Sequence, residues 1–280
     1  MAIAVQTVST TPFTEGTNIT LNKPTGTQDG DLLIAVWIAT DFVDSVPSGW
    51  TQESHSSLGI GYEFYVYSKI ASSEGASWTW GIGGTNENRT GMVMRITGHL
   101  SSSYFDQFDP SSVVSNDNTP TGDNTITPSV ANSLVAFVVV SIQAGEAATA
   151  SGYAIATDDP SWTEQADLFD DVNNHVFAVA TARRPETSAT GFPSCSVGSG
   201  GSADTNIVLF NILEDPNVAG TAALHSVSPS FFAPTAAANT AGTASLHSVS
   251  PTFNPASGDI ENVRWTKESK NSKTWTNETR

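Results

Sequence analysis

The stretches LLIAVWIA (Leu32–Ala39) and LVAFVVV (Leu134–Val140) decide the fold. Both are unbroken runs of β-branched, aromatic and small apolar residues. They are too short for a buried helix and have the length of a strand covered on both faces. YEFYVY (Tyr62–Tyr67), Met92–Ile96 and NIVLFNIL (Asn206–Leu213) share that character. Clusters of Gly, Asn, Asp and Pro (PTGTQDGD, GIGGTNENRTG, SNDNTPTGDN, VGSGGSAD) punctuate them as turns. No stretch of a dozen residues carries a 3.6-residue period. The expected fold is therefore all-β: an antiparallel, jelly-roll-like β-sandwich of many short strands.

The chain repeats itself. Pro47-Ser48-Gly49-Trp50-Thr51 matches Asp159-Pro160-Ser161-Trp162-Thr163, and Tyr65, Glu74 and Trp80 find Phe177, Glu186 and Phe192 at the same spacing. Leu32–Val36 matches Leu134–Val138 upstream, and Val93–Ile96 matches Leu209–Ile212 downstream. The spacing changes only in Gly- and Ser-rich connections, where insertions are tolerated. Residues 1–214 thus form a body of two similar halves, about 1–100 and 120–214. Two small sandwiches or one sandwich of two halves would both fit. The single sandwich is preferred, because a five-strand sheet with one apolar face must bury it against another.

After Asp215 the character changes. GTAALHSVSPSF (220–231) recurs as GTASLHSVSPTF (242–253), and WTKES at 265 is followed by WTNET at 275. Ten positions separate the two tryptophans, so an extended segment would point both to one face. The low-complexity string between the repeats can build no core. Residues 215–280 are therefore expected to be an extended arm that docks through Leu224, Val227, Phe231, Leu246, Val249, Phe253, Trp265 and Trp275. Repeated motifs raise avidity where a partner spans them.

Composition excludes several functions. Only 14% of the 280 residues are charged, and the net charge is −17. Nucleic acid and anionic membranes select basic surfaces, so neither is an expected partner. The last 17 residues carry five basic and two acidic side chains, leaving six basic and 26 acidic for the remaining 263. The tail is basic and the body strongly acidic. A single cysteine, Cys195, rules out an internal disulfide and a thiolate zinc cluster, and is expected to be a small buried residue. The N-terminus lacks a basic region followed by an apolar run, so no signal peptide is expected.

Candidate sites are few. Trp50 and Trp162 each enter a strand after a Pro/Ser turn and are expected to plug sandwich ends. Tyr65 and Tyr67 share a strand face and Tyr62 takes the other, as sheet packing requires. Glycosidase chemistry would need Glu74 and Glu186 about 5–9.5 Å apart in a cleft. Both fall in polar turns and are expected to be solvated. The stretch Asp167–His175 holds Asp167, Asp170, Asp171, Asn173 and Asn174, whose oxygens could ligate calcium, but it lacks the alternating acidic loop of an EF-hand. No other cofactor or metal is implied, and no catalytic residue is assigned. Trp78, Trp80 and Tyr104 are the candidates for a glycan-stacking surface.

Taken together, GDLLIAVWIA, PSGWT, YVYSKIASSEGASWTW and VMRITG, continued by NSLVAFVVV, PSWTEQ and HVFAVATAR, resemble β-sandwich structural proteins of tailed bacteriophages. The closing WTKESKNSKTWTNETR is similar to the Trp-Thr-x-x-Ser/Thr-Lys-Asn repeats that end many phage particle proteins. The resemblance implies a non-catalytic virion component of the decoration, cement or fibre type. It would lie on the particle exterior after assembly in the host cytoplasm. The implied partners are a major capsid or tail protein and further copies of the chain, a trimer being favoured. The alternative is a carbohydrate-binding, host-receptor-binding module of a phage tail.

Overall fold

The computed structural model describes residues 2–84, 87–115, 117–142, 148–156, 160–198 and 204–216. The docking residues expected in the arm, Leu224 to Trp275, lie outside the described residues. Among those described there is no helix. The first half supplies β1 (Ala4–Gly16), β2 (Asn18–Asn22), β3 (Leu32–Ala39), β4 (Val43–Ser45), β5 (Thr51–Ser57), β6 (Glu63–Ile70), β7 (Ser77–Ile82) and β8 (Glu87–Thr97). The second supplies β9 (Phe105–Pro110), β10 (Ser133–Ile142), β11 (Ala150–Ile155), β12 (Thr163–Asp170), β13 (His175–Arg184), β14 (Pro193–Val197) and β15 (Asp204–Ile212).

The fold is an antiparallel β-sandwich, built twice. The first half forms a large sheet, β1-β8-β3-β6-β5, over a small one, β2-β7-β4. The second forms β9-β15-β10-β13-β12 over β11-β14. The counterpart of β2 is the segment before Ile126. It bridges Ser194 through Thr121 and exchanges backbone bonds with Pro193 and Cys195. This order, eight strands in two sheets with consecutive strands changing sheet, is that of a jelly roll with its fifth strand on the larger sheet.

The single two-layer sandwich preferred from sequence gives way to four layers. Along β3, Leu32, Ile34, Val36 and Ile38 face a core shared with Leu134, Ala136, Val138, Val140, Phe177 and Phe210 of the second half. The intervening Leu33, Ala35, Trp37 and Ala39 face the small sheet of their own half. Val135, Phe137 and Val139 of β10 do the same with Ala150, Cys195 and Val197. Both central strands are covered on both faces, which is why they read as unbroken apolar runs.

Strand register corrects one pairing of the halves. Ile34 lies opposite Ser68 on β6, and its counterpart Ala136 lies opposite Thr181 on β13. That equates Phe64 with Phe177, both in the shared core, and Tyr65 with Ala178. Matching Tyr65 to Phe177 is one residue out, and a slip of one exchanges the faces. Likewise the partner of Trp80 is the buried Cys195, not Phe192, which is 54% exposed. The halves trade volume in compensation: Ala35 and Trp37 in β3 become Phe137 and Val139 in β10. Gly91 sits opposite Trp37, and a β-carbon there would meet the Trp37 β-carbon at 2.3 Å, so only glycine lets β8 approach.

Polar bonds fasten the halves at the edges of the shared core. Tyr62 Oη and His175 Nδ1 lie 2.7 Å apart, and the Asn88 amide donates to Asp170 Oδ2 at 2.7 Å. The Glu214 carboxylate accepts from Ile3 N and from the Arg183 guanidinium, tying the chain start to the end of the body.

Candidate interaction surfaces

The first-half core is aromatic. Trp37 stacks on Tyr65 at 4.3 Å and Tyr67 at 6.0 Å, and Trp50 packs edge-on against Trp78 at 5.0 Å. As expected, Tyr65 and Tyr67 share this core and Tyr62 faces the other. Trp50 is buried here, and Trp162 packs edge-on against Phe137 at 5.5 Å in the second half. Both tryptophans plug their sandwiches.

The same packing removes two glycan-contact candidates. Trp80 is fully buried and Trp78 is 7% exposed, so neither offers a ring face to a sugar. Tyr104 is part-buried; its hydroxyl bonds Ser68 Oγ at 2.9 Å and its ring meets His99.

Glu74 is not a solvated turn residue. Its side chain is 4% exposed and pairs with Lys69 Nζ at 2.9 Å. Ser72 N and Trp78 Nε1 also donate to it, at 2.9 and 3.1 Å. Burial works against the charge, yet these donors outweigh it and hold the carboxyl below its ordinary range. Glu186, in the other half, is exposed as expected; its carbonyl, with those of Ser188 and Ala189, receives the fully buried Arg184 guanidinium.

The Asp167–His175 stretch forms the end of β12 and its hairpin turn into β13. Asp170 Oδ2 accepts from the Asn88 and Asn173 amides, and Oδ1 from the Val172 and Asn173 N–H groups. Burial opposes the charge, but these four bonds keep Asp170 below its ordinary range. The lone pairs that calcium would use are thus engaged by neutral donors. Asp167 differs: burial, helped by the nearby Glu164 charge, raises its carboxyl to about 6 against a bond from Ala150. Its neighbour Tyr153 is raised by burial and by Glu164 and Asp167. Cys195 is buried as expected, and burial lifts its thiol to about 12.

Among the described residues, the most exposed aromatic group is one that sequence patterning does not mark. Phe42 is 57% and Val46 42% exposed, on either side of β4. The Phe42 ring lies 6.0 Å, edge-on, from His55, whose ring stacks on Tyr65 at 4.6 Å. His55 Nε2 contacts Glu63 Oε2 at 2.6 Å, and the Val43 N–H donates to Tyr65 Oη at 3.1 Å. Phe42 thus ends an aromatic path that begins at the buried Trp37. Only the outward direction of an edge strand, which needs the sheet order, could have revealed it.

No family model, curated protein or solved structure matches the chain.

Proposed function

We propose that this chain is a structural component of a bacteriophage particle. It acts as an exterior accessory protein, of the capsid decoration, cement or fibre type, attached through its C-terminal arm. The carrying observation is the recurrence of Leu-His-Ser-Val-Ser-Pro at 224–229 and 246–251, followed by paired Trp-Thr units, after a body whose last core residues are Ile212 and Leu213. A spacer needs length and flexibility, whereas this segment repeats particular side chains, as a segment bound at repeated sites would. A duplicated sandwich with covered central strands is a stiff platform for such an arm. The resemblance of the body and the closing residues to phage virion proteins points the same way. The partners are the major capsid or tail protein and further copies of the chain, and the place is the particle exterior.

The test is particle composition. Mass spectrometry of purified particles should find the full chain, and a chain lacking residues 216–280 should be made but absent from particles. Absence of the full chain from particles, or equal retention of the truncated one, overturns the reading.

A further inference from the structure

We infer that the open edge of β4 is a docking site for the basic, tryptophan-bearing C-terminal segment of a second copy of this chain. The inference rests on the arm being an attachment segment, and it adds a seat for it.

β4 is the last strand of the small sheet, with β7 on one side and no strand on the other among the described residues. The pairing of β4 with β7 is irregular between Val43 and Ser45, which breaks strict alternation, and Phe42, Asp44 and Val46 are all exposed. Val43, between the first two, packs inward on the aromatic core. Asp41 and Glu87 border this stripe: a β-carbon built on Gly84 would meet both carboxylates. Behind it, the buried Glu63 is bonded to His55, whose ring meets Phe42. The edge is therefore apolar and acidic, and no strand covers it among the described residues, with the Val43 N–H donating to Tyr65 Oη.

The fold does not require that chemistry. The backbone bond from Gly83 N to Phe42 O recurs as the bond from Gly198 N to Thr149 O, each at 2.8 Å. Thr149 thus stands in the second half where Phe42 stands in the first. The same jelly-roll position is served by a small polar residue, so the sheet itself does not need a phenylalanine there.

The closing segment has the complementary pattern. In WTKESKNSKTWTNETR the odd-numbered Trp265, Lys267, Lys273 and Trp275 would share one face of an extended strand. Apolar rings and ammonium groups on one face fit a stripe of Phe42 and Val46 framed by carboxylates. These side-chain contacts would carry the docking and its selectivity.

The experiment is sedimentation of the full chain over a concentration series at low and high salt. The chain should self-associate, more weakly at high salt. Phe42→Thr, Asp44→Lys and Trp275→Ser should each weaken association about tenfold or more. The Phe42→Thr/Trp275→Ser double variant should lose little beyond either single, because both remove one contact. Excess peptide of residues 263–280 should dissociate the assembly. Thermal unfolding of Phe42→Thr should be unchanged, and Asp44→Lys, at an exposed side chain, supplies an independent variant. A monomeric chain at every concentration overturns the inference. Association weakened by Trp275→Ser but not by Phe42→Thr or Asp44→Lys also overturns it, while leaving particle attachment, read by composition, standing.

Discussion

At the residue scale, the two halves put different chemistry at one position. His55 and Asp167 hold equivalent places after the bulges of β5 and β12, each turned toward its own small sheet. His55 stacks on Tyr65 and contacts Glu63, whereas Asp167 is part-buried beside Tyr153 and Glu164. The folded Asp167 carboxyl keeps its proton up to about pH 6, against an ordinary value of 3.8. Its contribution to stability is therefore complete in acid and is lost as pH rises through 6. Asp167→Asn removes the ionisation and keeps an acceptor for Ala150. The variant should be more stable than the parent by about 1–2 kcal/mol at about pH 8, after allowance for solvent screening, and nearly equal to it below about pH 4. Denaturant titrations at the two pH values check this; a gain independent of pH would place the effect in packing.

At the element scale, Glu74 fastens the connection from β6 to β7 and so joins the two sheets of the first half. Lys69 comes from the large sheet and Trp78 from the small one, and both meet the same carboxylate oxygen. Glu74→Ala leaves a mostly buried ammonium and an indole N–H without that partner, and should cost about 2–4 kcal/mol in chemical denaturation. A cost below ~0.5 kcal/mol would show that solvent replaces the carboxylate. Sequence reading placed Glu74 in a polar turn, which is right for the backbone and silent on the side chain. The central strands were legible because burial on two faces leaves an unbroken apolar run, and the duplication because β3 and β10 repeat that run. Face assignment failed at Phe177, where a one-residue difference in connection length is invisible among apolar neighbours. Trp78 and Trp80 misled for a related reason. Polar residues flank them on β7, but the alternation Ser77, Thr79 out and Trp78, Trp80 in belongs to a strand covering a core. Phe42 went unread because exposure at a sheet edge is a property of strand order.

At the scale of the whole molecule, duplication poses a choice between two independent sandwiches and one cooperative body. The shared core favours one cooperative body. Phe64, Met92 and Met94 of the first half and Phe177, Val179 and Phe210 of the second lie in one buried cluster, bordered by the Tyr62–His175 and Asn88–Asp170 bonds. Either half alone would expose the inner face of its large sheet, a loss of burial that small sandwiches can ill sustain. The body should therefore unfold in one step, with calorimetric and van't Hoff enthalpies that agree. Phe177→Ala should cost about 3–5 kcal/mol through the cavity it leaves. The decisive readout is where that cost appears. Of the tryptophans in the described residues, Trp37, Trp50, Trp78 and Trp80 lie in the first half and Trp162 alone in the second. With Trp162 replaced by Phe, the change in body fluorescence on unfolding reports the first half, although the Phe177→Ala lesion is in the second. If the halves are coupled through their large sheets, Phe177→Ala shifts the fluorescence midpoint as far as it shifts the far-ultraviolet circular dichroism of the whole chain. A fluorescence midpoint that stays put while the dichroism splits into two steps would mean that each jelly roll stands alone and the shared core is only a contact.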